Sequence, residues 1–95
     1  MVRHIVFFKL KDNSLASKEE VKQKLLSLKE KLKYIRFLEV GLNFSEEARA
    51  YDLSLIVDLD SKEDLEKYAK DDYHQEVISF IKTKAIDTKV VDYEN

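Results

Sequence analysis

Hydrophobic residues fall along this chain in two rhythms. The stretch VRHIVFFKL, Val2–Leu10, is dense in β-branched and aromatic residues and apolar on both parities. Val2, Val6, Phe8 and Leu10 share one parity; Ile5 and Phe7 share the other. This predicts a strand covered on both faces. After Asp12-Asn13-Ser14 the spacing changes. Val21, Leu25, Leu28 and Leu32 recur at i, i+4, i+7 and i+11, which predicts one amphipathic helix over residues 17–34 with its lysines in solvent. Ser17 and Glu20 have the spacing of a capping box and place acids in the first turn.

Period two returns in residues 35–44, where Leu38, Val40, Leu42 and Phe44 share a parity, and again in residues 51–60, where Tyr51, Leu53, Leu55, Val57 and Leu59 alternate with more polar residues. Gly41, inside the first of these strands, predicts a bulge or the close approach of another backbone. Ser61 caps a helix carrying Leu65, Tyr68 and Ala69. Asp71-Asp72 interrupts it, and a second piece resumes with Val77, Ile78 and Ile81. IDTKVVDYEN closes as a fourth strand.

The order βαββαβ predicts an α+β, ferredoxin-like domain spanning residues 1–95: a four-stranded antiparallel sheet with helices on one face. Helices on one face leave the other uncovered, and Ile5 and Phe7 make it apolar. A second copy packed sheet against sheet is the economical cover, so the pattern predicts a homodimer.

Composition narrows the function classes. Seventeen basic and nineteen acidic residues are interspersed and sum to −2, so no net field draws the chain to nucleic acid or anionic lipid. There is no cysteine, which removes disulfides and thiolate metal sites and fits a reducing, cytoplasmic setting. Arg3, His4 and Lys9 interrupt the N-terminal apolar run, so neither a signal peptide nor a membrane span is expected. RNA-recognition domains share the βαββαβ order, but the third strand carries Asp52, Asp58 and Asp60 in place of a glycine- and aromatic-rich motif. Asp58, Asp60, Glu63 and Asp64 lack calcium-loop spacing and read as a helix-capping cluster, and the two histidines form no His-x-x-x-His pair; no metal or cofactor is expected.

Several short segments, taken in order, resemble the stress-responsive dimeric α/β-barrel (Dabb) family. They are HIVFFKLKD, LEVGLNFSEEARAYDLSLIVDLDSKEDLEKY and VVDYEN, and the resemblance runs from about Val2 to Tyr93. It implies a homodimer whose two sheets form a barrel, with the His4, Val6 and Phe8 parity facing the helices and any pocket, and Ile5 and Phe7 facing the partner. The family includes plant stress proteins and olivetolic acid cyclase, which closes a polyketide without metal or organic cofactor. The resemblance carries that enzyme's pocket tyrosine and histidine onto Tyr68 and His74, and its first-strand histidine onto His4. Where the family often reads His-Pro-x-His, this chain has Asp71-Asp72-Tyr73-His74. Haem-degrading relatives typically use a tryptophan, and there is none here.

Two readings follow. In one, a pocket beside Tyr68, His74 and His4 binds a small hydrophobic or phenolic ligand; in its enzymatic version His74 removes a proton and Tyr68 donates to the developing enolate. In the other, Phe8, Leu25, Phe80 and their neighbours fill the core, and the protein is a non-catalytic dimer. An open cavity or a filled core separates them.

Overall fold

The computed structural model of the chain describes Met1–Asn95. The order is β1 (Val2–Leu10), α1 (Leu15–Lys31), β2 (Phe37–Leu42), β3 (Leu53–Leu59), α2 (Lys62–Lys70), α3 (Asp72–Lys84) and β4 (Ala85–Glu94). The strands form one antiparallel sheet in the order β2-β3-β1-β4, the ferredoxin-like arrangement, with β1 and β3 in the middle.

Register sorts the side chains. Val6 lies opposite Leu55 and Val90, and Phe8 opposite Leu53 and Thr88, all on the face that the helices cover. Ile5 lies opposite Ile56 and Val91, on the uncovered face, and Phe7 beside it is 41% exposed. Val21, Leu25 and Leu28 of α1 meet Leu53, Leu55, Val57 and Leu59 of β3 in one buried cluster. The uncovered face also bears a fork-to-fork ion pair: Arg3 Nε and Nη2 each lie 2.8 Å from one oxygen of Asp58. That guanidinium holds the Asp58 carboxyl below the usual carboxylate range.

Local chemistry explains where the elements begin and break. Helix α1 starts three residues before the capping box: Ser14 is the N-cap, and its Oγ accepts the amide of Ser17 at 3.2 Å. Ser17 is itself buried, and no acid lies in the first turn, so this expectation is corrected. Asp12 accepts the Ser14 amide and sets the entry angle. The strands β2 and β3 are shorter at both ends than their alternation implied, and Phe44 lies beyond β2 and is fully exposed.

Gly41 does not mark a bulge. It pairs in register with Ser54, and a Cβ there would meet Ser54 Oγ at 3.0 Å, so the close neighbour is a side chain. The register shift lies instead at Lys9/Leu10 of β1, where the buried Asp52 carboxylate accepts the Leu10 amide at 2.7 Å. Of the acids around residue 60, Glu63 and Asp64 lie in the first turn of α2, which Ser61 Oγ caps as expected by accepting the Asp64 amide. Asp58 and Asp60, by contrast, do not cap the helix but pair with Arg3 and Arg36.

Candidate functional site

Asp71 builds the site's corner. It ends α2 and begins α3, and its Oδ1 accepts the amides of Tyr73 at 2.8 Å and His74 at 3.3 Å. A carboxylate at a helix N-terminus satisfies donors that have no intrahelical partner. The consequence is geometric: the last turn of α2, carrying Tyr68, is fixed against the first turn of α3, carrying His74. The two rings lie 4.0 Å apart between centroids, tilted by 38°. His4, reaching up from β1, meets Tyr68 edge-on at 5.8 Å.

These three side chains close one end of a cavity of about 300 Å³ between the sheet and the helices. Val6 and Phe8 form part of its floor, Leu25 and Leu28 of α1 part of its wall, and Val77, Ile78 and Ile81 of α3 its side. Phe80 does not fill it. That ring is half-buried against the core beside α1, with Lys24 Nζ 5.9 Å and Lys84 Nζ 5.8 Å from its centroid, and does not line the cavity. A larger hollow of about 520 Å³ lies between α2 and the end of β4, but it is an open groove beside the Lys62–Glu94 ion pair, and neither Tyr68 nor His74 lines it.

The polar atoms at the closed end are unusual. Tyr68 is 1% exposed, yet its hydroxyl has no hydrogen-bond partner, and neither has the buried Nδ1 of His74. An unsatisfied buried polar group typically costs about 1–3 kcal/mol. Tyr34, whose ring lies 4.4 Å below the Lys67 ammonium, carries a third such atom in its Oη, but it does not line the cavity.

Burial lowers the His74 pKa, outweighing a hydrogen bond to the Ala69 backbone that raises it, so the neutral imidazole is favoured at physiological pH. Burial pushes the Tyr68 phenol far up, so it stays protonated and is a donor. The closed end therefore offers a fixed O–H and a neutral imidazole side by side. That pair can bind an oxygen and accept a proton from a neighbouring carbon.

His4 is anchored by a residue that the sequence alone did not single out. Its Nδ1 bonds the Asp92 carboxylate across the β1–β4 ladder, where the two residues are directly opposed. The usable signal is parity on β4: Thr88, Val90 and Asp92 share the helix-facing side, and Asp92 is its one acid opposite β1's histidine. Ile5 and Phe7 lie across the sheet from the cavity. No group of three or more His, Cys, Asp or Glu side chains converges as a metal-ligand set, and no helix is long and apolar enough to cross a membrane.

The model of the stress responsive A/B barrel domain matches residues 2–95. The chain belongs to that family. Among solved structures, this stress responsive A/B barrel protein is similar to a dimeric ferredoxin-like protein of unknown function from Bacteroides fragilis, with 29% identity over 99% of this chain and 95% of that one and a TM-score of 0.85. A protein from Arabidopsis thaliana is 21% identical over 100% and 95% of the two chains, with a TM-score of 0.87. A hydroxynitrile lyase from Passiflora edulis is 16% identical over 97% and 90%, with a TM-score of 0.83. At these identities the last two establish the shared fold. No curated protein matches the sequence.

Proposed function

We propose that this protein is a cytoplasmic homodimer that binds a small, largely apolar ligand between sheet and helices, with one ligand oxygen held by Tyr68 and His74. One observation carries the reading: two polar atoms are buried without partners on residues that line the same apolar cavity. Ligand pockets are mostly apolar with a few convergent polar groups, and 300 Å³ is at the small end of their range. A carbonyl or phenolic oxygen at the closed end would receive the Tyr68 hydroxyl and satisfy what the fold leaves open.

The dimer rests on the uncovered sheet face. Phe7 and Phe37 are about two-fifths exposed there, with Val91 more so, around Ile5 and Ile56. A sheet face of this kind is seldom left to water. The related Bacteroides fragilis protein is described as dimeric, and a second copy of this chain, sheet against sheet, would cover the patch and enclose the Arg3–Asp58 pair.

A second reading is favoured by the protonation states. A neutral His74 is a base and a protonated Tyr68 a donor, the two groups needed to form an enolate without metal or cofactor. The hydroxynitrile lyase of the same fold shows that this architecture hosts an enzyme elsewhere. As general base, His74 would act in its unprotonated form. Because its pKa lies below the ordinary histidine value, activity would persist on acidification past about pH 6.5 and fall only as the imidazole protonates.

Three outcomes follow. Tyr68→Phe removes an unpaired hydroxyl, so it raises the unfolding free energy of the ligand-free protein by about 1 kcal/mol and weakens binding of a neutral phenol or β-diketone about tenfold; a destabilised variant with unchanged calorimetric affinity contradicts the binding reading. Phe7→Asp places a charge in the proposed interface and converts the dimer to a monomer in light scattering, whereas an unaltered mass rules out that face. For proton transfer, the protein accelerates deuterium uptake at the central carbon of acetylacetone in D₂O, with the pH profile above, and His74→Asn abolishes the acceleration. Equal rates with and without protein would remove the enzymatic reading and leave binding standing.

A further inference from the structure

The cavity has a second polar end. Along α3 the residues His74, Val77, Ile78, Ile81 and Lys82 form one continuous stripe at i, i+3, i+4, i+7 and i+8, and all line the cavity. Eight residues of helix place Lys82 roughly 12 Å along the axis from His74. The sheet gives an independent ruler. His4 pairs with Asp92 and Phe8 with Thr88, so Thr88 lies about 13 Å from the Asp92–His4 pair along β4. Thr88 and Lys82 both line the cavity and are exposed. With Val90, which also lines the cavity and is 57% exposed, they mark its open side, the mouth, as Tyr68 and His74 mark its closed end.

Charge at that mouth is one-sided. No aspartate or glutamate lines the cavity. The carboxylates near enough by sequence are committed elsewhere. Asp92 holds His4, and Glu94 pairs with Lys62. Asp87 lies on the other face of the sheet, opposite Lys9, and accepts from Tyr51. Two residues beyond Lys82, Lys84 is held 2.8 Å from Glu20. Lys82 alone of this pair has no carboxylate partner, and it stands where the apolar walls end.

We propose that Lys82, with the Thr88 hydroxyl, selects ligands that carry an anionic group, a carboxylate, at the end opposite the oxygen held by Tyr68 and His74. The ligand class is thus a small two-ended molecule: an oxygen, an apolar ring or short chain seated on Val6, Phe8 and Ile81, and a carboxylate at the mouth. This rests on the binding reading above and adds the identity of the second end. Lysine suits the position because its compact charge swings on a flexible stem and meets an anion without fixed geometry.

The test uses 3-(4-hydroxyphenyl)propanoate and its neutral amide as matched probes, titrated calorimetrically into the intact protein at low salt. Wild type binds the acid about fivefold tighter than the amide, the scale of a solvent-exposed ion pair. Lys82→Gln erases the preference by weakening the acid more than the amide, and Lys82→Arg retains it. Added salt shrinks the preference in wild type. Equal affinities for acid and amide in wild type, or a preference that survives in Lys82→Gln, overturn the role of Lys82 but not the cavity. If neither probe binds wild type, both the selectivity and the binding reading on which it rests are overturned.

Discussion

Strand β1 must satisfy two faces at once, and the molecule is arranged around that demand. It sits between β3 and β4, hydrogen-bonded along both edges, so its side chains have only up and down to go. Upward, Val2, Phe8 and Leu10 are buried beneath the helices, while His4 and Val6 reach the cavity. Downward, Ile5 and Phe7 are left beside Ile56 and Val91 with no helix to cover them. One strand therefore joins the cavity on one side to the exposed apolar face on the other. A one-residue slip of register would exchange the two, which is why the bulge at Lys9/Leu10 is pinned by the buried Asp52 carboxylate.

The cavity arises from an interrupted helix. A continuous α2–α3 would lay a single ridge across the sheet and close the space beneath it. Asp71 breaks it by capping α3, and the two pieces contribute one aromatic ring each to the same corner. Tyr68 is then buried without a hydrogen-bond partner, a cost the fold sustains at that position. Under the proposed binding role, stability and binding pull in opposite directions there, as they commonly do where a site is held ready for a ligand.

Much of the fold is legible from period alone. Alternation in β1 and β3 and the stripe through Val21, Leu25 and Leu28 depend on the same burial that the structure displays, so element order, sheet type and helix-covered face follow from them. Boundaries are less legible, because they depend on single side-chain hydrogen bonds. Ser14 and Ser17 are chemically equal as caps, and only burial of Ser17 against the core distinguishes them. Gly41 had two ordinary explanations, and the register of Ser54 supplied a third. At the site, Tyr68 and His74 stand out by residue type and spacing, but their separation by a helix break, their lack of partners and the space before them are properties of packing. Asp92 and Lys82 were invisible for a different reason: each is an ordinary surface residue until strand register or helix stripe brings it to the cavity.

In the proposed function, Tyr68 and His74 wait for a ligand oxygen. Nitrogen-15 NMR of histidine-labelled protein tests it most directly, because the ring nitrogens report protonation and hydrogen bonding at His74, with a His4→Gln variant assigning the signals. The account predicts a neutral His74 ring at pH 7 whose nitrogen shifts move markedly, and saturably, when a small phenol is added to the wild-type protein. A ring already charged, or one whose shifts ignore every phenol and β-diketone offered, would contradict it and leave Tyr68 and His74 as packing.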